Sequence, residues 1–473
     1  MKKKICILIV SLFICVSCNS QKDDYGKLIE ELNGQDNKKA KERLMVYGEK
    51  LLNQYKILKH EAQWASVENR EAAEGRLLKS KEMIHEFAQT LKKHAGNRNA
   101  SVCMSIKEIN QYLYSLTQPR IVFSKSYKGG NSEIWIIGSD GKNLKRVTKN
   151  DRRRDEEPSW HPNGTKIVFS SDRDHFTSQI YVVDADGKNL RKLTNERPRH
   201  LAPVYSPDGS QIAFESLEKV FEDNHPNNYD VYIMDANGNN QRNLTGDYKD
   251  AMHITLVGWN PDGTKIAFHV MRISGSSGIY IMDADGKNHR KLSGDNYNIA
   301  GDCAWSPDGK KMVFCLRDES GTGLGIIDAD GSNFKRIVKN INVPSLSWSF
   351  DNRQIILSAF DGEAKAYKLY TLDADGQNLR ELLDELPNNN ADVPITHPAS
   401  KDMIFLSSLM KPGAVIEIWS TNIESKKLTK VGMSYMTPKP SWEPVILNEI
   451  ASLFSDELDS SLNSDNANPD SKK

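Results

Sequence analysis

Cysteine is scarce in this chain, and long apolar runs are absent. Six of the 473 residues are cysteine, and two of them, Cys6 and Cys15, lie in a leader, so no disulfide-stapled scaffold can be built. The longest apolar run, the twelve residues from Ile5 to Val16, falls short of the roughly 20 that a membrane-spanning helix needs. Charge of neither sign is in excess: 63 basic residues face 63 acidic ones, and loss of Lys2, Lys3 and Lys4 leaves the chain near −3. That balance supplies no basic face for nucleic acid.

Catalytic signatures are missing as well. Gly275-Ser276-Ser277-Gly278 lacks the spacing of a nucleophile elbow, and His60-Glu61 and His85-Glu86 lack the second histidine of a zinc-peptidase helix. No phosphate loop, dinucleotide fingerprint or Cys-His zinc spacing occurs. The sequence therefore names no catalytic residue, no metal and no cofactor.

What is present is a repeat. Trp160-His161-Pro162-Asn163-Gly164 recurs as Tyr205-Ser206-Pro207-Asp208-Gly209, Trp259-Asn260-Pro261-Asp262-Gly263 and Trp305-Ser306-Pro307-Asp308-Gly309. It then erodes through Trp348-Ser349-Phe350-Asp351-Asn352 and Thr396-His397-Pro398 to Ser441-Trp442-Glu443-Pro444. The steps of 45, 54, 46, 43, 48 and 46 residues suit a four-stranded propeller blade. Proline ends an inner strand, since it cannot donate a ladder hydrogen bond, and the Asp-Gly after it completes a turn. Strands such as Lys166–Ser170 and Lys265–His269 follow, then a third strand closed by an Asp-Ala-Asp-Gly-Lys-Asn turn starting at Asp184, Asp235, Asp283, Asp328 or Asp373.

The first unit, from Arg120, has no Trp-Pro strand before it, and Trp442-Glu443-Pro444 has no unit after it. The C-terminal strand is thus expected to complete the first blade, closing a ring of seven with no free edge. Six blades is the alternative, because the unit at 396 is eroded. These units resemble the TolB-type, WD-like propeller repeat over residues 119 to about 445. The resemblance implies the fold but leaves function open among periplasmic scaffolds, sugar-processing lyases and gating domains of prolyl-oligopeptidase-like peptidases. The missing nucleophile elbow, and the lack of a hydrolase-sized stretch after the last unit, argue against a peptidase.

Lys2 to Lys4 and the apolar run read as a signal peptide. Cys15-Val16-Ser17-Cys18 resembles a bacterial lipobox, with Cys15 where such boxes usually carry leucine; the resemblance implies lipidation at Cys18, and a plain secretory signal is the alternative. Residues 1–17 are thus assigned to a lipoprotein signal peptide and 18–24 to a polar tether. Residues 25–117 form an α-helical domain, possibly of HEAT-like hairpins, with apolar stripes through Leu44, Tyr47, Leu51, Tyr55 and Leu58 and through Leu77, Ile84, Phe87 and Leu91. A TolB protein proper has an α/β domain there, so the helices depart from that pattern. Residues 118–446 form the propeller, and the Ser-, Asp- and Asn-rich stretch 447–473 is expected to be disordered.

Residues just before each inner strand must ring one mouth of the central channel. Alignment on the tryptophan position selects Glu156, Glu157, His200, His253, Asp302, Asp392 and Lys439 as ligand- or partner-binding candidates, with ordinary polar lining as the alternative. Phe221 and His225, in the long loop that stretches one step to 54 residues, are candidates for recognition, though loop-length drift explains that loop as well. The Lys and Arg residues after each Asp-Gly turn are expected to be solubilising rim charges. Cys303 and Cys315, flanking one turn, are expected to be free, with a disulfide as the other possibility.

The sequence therefore predicts a mainly β protein, a seven-bladed propeller preceded by a small α-helical domain. It is expected to be no enzyme but a lipid-anchored binding or scaffold module of the cell envelope. It would be membrane-held through the N-terminal lipid, at the outer membrane, periplasmic or surface-exposed, and would serve a protein or cell-envelope glycan. The alternative is a polysaccharide-lyase-like enzyme using the channel mouth.

Overall fold

The computed structural model describes residues 27–32, 37–95, 100–127, 129–150, 152–174, 177–195, 198–217, 229–272, 274–386, 390–397, 400–407, 416–434, 441–442, 450 and 453. Cys18, Phe221, His225 and Lys439 lie outside them, as do residues 1–24, expected to be signal peptide and tether, and most of the tail. Two compact units separate by their contacts, Met1–Gln118 with Ile446–Lys473, and Pro119–Val445.

The first unit has three long helices, α1 (Asn37–Trp64), α2 (Val67–Ala95) and α3 (Ala100–Thr117), each packed on the other two. The stripe on α1 goes inward at Leu44, Leu51, Tyr55 and Leu58, and that on α2 at Ile84, Phe87 and Leu91, as helical periodicity demands. Tyr47 is only half-buried, its ring edge-on to Phe87 at 5.2 Å. Gly48 lets α3 approach: a Cβ there would sit 2.5 Å from Leu113. Ile450, in the stretch expected to be disordered, is fully buried.

The second unit is seven four-stranded antiparallel sheets, each one blade. The inner strands of blades 2 to 7 are Asp155–Trp160, Arg199–Tyr205, Ala251–Trp259, Asn298–Trp305, Ser345–Trp348 and Asp392–Thr396. Blade 1 takes its inner strand from Ser441–Trp442, which pairs with Val122 and Ile121. The ring therefore closes with seven blades and not six, and the first and last blades share a core that includes Ile121, Phe123, Ile404 and Ile418.

The repeat motifs are spent on holding turns. In the first turn Ser206 Oγ donates to Asp208 Oδ1 at 2.5 Å and accepts from the Gln211 amide at 3.0 Å; Ser306 and Ser349 repeat this, and Asn260 does the same through its amide group. In the second turn the first aspartate accepts from the asparagine five residues on, at 2.6–2.7 Å in five blades. Gly238 in that turn has φ 91°, and a Cβ would stand 2.8 Å from the Leu193 carbonyl oxygen of the previous blade, so both conformation and space require glycine.

Four of the basic residues after these turns are not free rim charges. Arg191, Arg242, Arg290 and Lys335, each seven residues after the turn's first aspartate, donate to backbone carbonyls of the next blade's turn at Asn237, Asp285, Ala329 and Asp375. They clasp adjacent blades together.

Cys303 and Cys315 are free thiols. Cys303 stands opposite Phe314 in the ladder, one position out of register with Cys315, so the two side chains point to opposite faces. Cys315 Sγ donates to the Val343 carbonyl at 2.8 Å, and burial pushes its thiol up to about 12.

Candidate functional site

Each inner strand of blades 2, 3, 4, 5 and 7 carries a register shift near its middle, and such bulges re-aim side chains beside a site. Glu157, Ala202 and Val393, all three residues before the aromatic position or its equivalent, hold positive φ of 54°, 49° and 51°. This conformation is costly for a non-glycine residue, and for Ala202 and Val393 the neighbouring blade supplies an acceptor to the amide, as it does at the equivalent Leu256. Glu157 Oε2 accepts from the Ala202 amide at 2.6 Å, Glu215 Oε1 from the Leu256 amide at 2.9 Å, and Ser345 Oγ from the Val393 amide at 3.0 Å.

A second row tightens this belt. In two blades the second strand also reaches the next blade from one position: Ser124 Oγ donates to the Asp155 carbonyl at 2.8 Å, and Ser358 Oγ to Asp392 Oδ1 at 2.6 Å. His269 occupies the same row in blade 4; its Nε2 is buried and unpaired among the described residues, and burial lowers its pKa to about 4.

The candidates divide accordingly. Glu157 and Asp392 are spent on the belt, Asp392 Oδ1 accepting from Ser345, Ser358 and the Val393 amide at 2.6, 2.6 and 2.7 Å. His200 is 4% exposed, edge-on to Phe214 with ring centroids 5.3 Å apart. Its position, five before the aromatic, holds Asp155, Ile254, Val343 and Ala391 in four other blades, all of them buried.

Glu156, His253 and Asp302 remain, from blades 2, 4 and 5. Glu156 is half-buried, and burial raises its carboxyl against the opposing pull of Arg154 and Arg199. His253 is half-buried too, its Nδ1 3.0 Å from Thr255 Oγ1, and burial lowers its pKa. Asp302 is open to water on its surface yet hemmed in by protein, as a group on a narrow channel wall is. That crowding pushes its carboxyl up to about 6; the Cys303 amide counters this at 2.9 Å and repulsion from Asp392 adds to it. Among the described residues no three His, Cys, Asp or Glu side chains are grouped to hold a metal ion.

His200 makes a pH prediction. Burial drops its pKa from 6.5 to about 4, so the folded chain binds fewer protons than the unfolded one between those values. Stability is then complete above pH 6.5 and falls as pH drops towards 4, by up to about 3 kcal/mol. Asp302, shifted upward, works the other way over an overlapping range, so the comparison needs a variant. His200→Leu should lose less stability than the unsubstituted chain between pH 7 and pH 4.5 in denaturant unfolding; parallel losses would show that His200 is not the group responsible.

A family model described as the TolB beta propeller domain matches residues 113–222 and 217–462. The chain belongs to this TolB propeller family. Among solved structures, TolB from Acinetobacter baumannii is 20% identical, with 60% of this chain and 69% of that chain covered, at a TM-score of 0.42. Puromycin hydrolase, as an S511A mutant complexed with PGG, is 14% identical at a TM-score of 0.55, covering 68% of this chain and 55% of that one. An oligogalacturonate lyase in complex with manganese is 12% identical, at a TM-score of 0.48, covering 67% of this chain and 84% of that one. No curated protein matches. The family match and the likeness to puromycin hydrolase show the fold, a TolB-type propeller, and such a fold serves binding modules and enzymes alike.

Proposed function

We propose that the chain is a non-catalytic binding module of the cell envelope, held to a membrane through a lipid on Cys18, that docks a protein or envelope glycan at the channel mouth. One observation carries this reading: the belt consumes Glu157 and Asp392, leaving Glu156, His253 and Asp302 as polar groups spread over three blades. Such a spread suits recognition across a surface better than bond-making between adjacent groups.

The test is a triple variant, Glu156→Gln, His253→Ala and Asp302→Asn, in the full chain. It should keep its melting temperature within a few degrees and capture at least tenfold less partner from envelope extract. Undiminished capture would remove the channel mouth from the account. Cys18→Ser tests the anchor separately: the protein should leave the membrane pellet for the soluble fraction.

A further inference from the structure

Blade 4 brings two histidines and a methionine together near the mouth end of its inner strand. Along the pairing of that strand with Lys265–Arg272, His253 stands opposite Met271 and Thr255 opposite His269, in unbroken register from His253 to Leu256. Residues two apart on each strand, and those directly opposed, project to one face, so these four share it. The alternate residues Ile254, Phe268 and Val270 belong to the core with Val231 and Ile233 of blade 3. Directly opposed Cβ atoms lie about 5 Å apart and diagonal ones about 7 Å, which puts both imidazoles and the thioether within reach of a single ion. All three side chains are half-buried.

The nitrogens are available. His269 Nε2 is buried with no hydrogen-bond partner among the described residues, a state that costs free energy until something fills it. His253 engages Nδ1, 3.0 Å from Thr255 Oγ1, and Tyr229 of blade 3 lies against its ring with centroids 5.4 Å apart. A contact at Nδ1 is how a metal-bound histidine is held by its surroundings, with Nε2 turned to the ion. Both rings are neutral at pH 7: burial lowers both, His269 to about 4, with the nearby His253 adding to the effect, and no carboxylate pulls either ring back towards its charged form. Neutral imidazoles offer a lone pair with no proton to displace.

The set is thus two neutral nitrogens and one thioether sulfur, with no anionic ligand. Only two of its members are His, Cys, Asp or Glu, which is why it stands apart from the larger groupings that hold most metals. Hard divalent ions such as Ca(II) and Mn(II) favour carboxylate oxygens, whereas thioether sulfur with imidazole favours Cu(I), whose single charge needs no anion to offset it.

We propose that His253, His269 and Met271 form a site for one Cu(I) ion on the channel wall. Docking at the mouth shares only His253 with this site, so failure of one reading leaves the other standing.

The probe is Cu(I) alone, delivered without oxygen to the full chain from its coloured bicinchoninate complex, whose bleaching counts the ions transferred. Cysteine thiols take Cu(I) as well, so the readout is the difference between variants. Met271→Leu is close in volume, and His269→Leu removes the unpaired nitrogen; both should keep the melting temperature of the metal-free chain within a few degrees. Each should take up one Cu(I) fewer per chain, or hold that ion at least tenfold more weakly. His289→Leu, at a distant turn, should match the unsubstituted chain. Equal uptake and affinity in the unsubstituted chain and both site variants, or the same loss from His289→Leu, would overturn the proposal.

Discussion

Removing residues 441–473 lowers the thermal midpoint of the propeller by about 7 °C, whereas removing only 446–473 leaves the propeller transition nearly unmoved. The difference is two residues' worth of strand pairing, Trp442 with Ile121 and Ser441 with Val122, yet its effect exceeds two pairs. Without that strand blade 1 has three strands and an open edge, in the blade whose core joins Ile121, Phe123 and Ile137 to Ile404, Leu406 and Ile418. A ring is cooperative because each blade buries its faces against two neighbours, so opening one seam weakens both sides. A loss of about 5 kcal/mol is the expected scale. Calorimetry on the two truncations checks it, and equal midpoints would mean that the ring is closed by something else.

Asp155→Ala costs about 3–5 kcal/mol, far more than loss of an exposed ion pair. The Asp155 carboxylate is fully buried and accepts from Thr148 Oγ1 at 2.6 Å, Asn150 Nδ2 at 2.9 Å, Ser171 Oγ at 2.6 Å and the Arg173 guanidinium at 2.6 Å. Arg173 also lies over the rings of Phe169 and Tyr181, at 5.4 and 5.1 Å, so the carboxylate fixes a cation that in turn packs blade 2. Alanine would leave that cation and three polar groups without their acceptor, at a desolvation cost that no new contact offsets. Asp295→Ala, which breaks an exposed ion pair with Lys291, is the matched comparison and should leave stability at pH 7 nearly unchanged. Similar losses from both substitutions would contradict the assignment of Asp155 as a structural node.

The ring was legible in the sequence because its turns are local chemistry. Ser206, Asp208 and Gly209, or Asp184 and Asn189, close hydrogen bonds within five residues, and local bonds leave local signatures. The closing strand was legible too, through counting strands rather than motifs. The site was less so, because what decides a side chain's availability is the next blade, some 45 residues away. Glu157 and Asp392 look like free acids at a mouth until the Ala202 amide and the Ser345 and Ser358 hydroxyls are placed beside them.

Two signals were nonetheless available. His200 aligns with Ile254, Val343 and Ala391, apolar in three blades though Asp155 in a fourth, which marks a buried position, and the cations of the clasps keep a fixed seven-residue distance from the turn aspartate that solubilising charges have no reason to keep. The orphaned Nε2 of His269 left no such trace, since its row holds Ser124, Ser170, Glu215, Cys315 and Ser358, residues with no common chemistry.

Recognition at the channel mouth is the central claim, and site-specific photo-cross-linking tests it most directly. A photoreactive residue is placed at position 253 or 302 of the full-length chain, or at Lys188 or Lys287 among the turns, and envelope membranes are irradiated. The account predicts a discrete adduct from positions 253 and 302 and none from 188 and 287. Adducts confined to the turn positions, or no adduct together with divalent-dependent cleavage of an acidic polysaccharide, would contradict it.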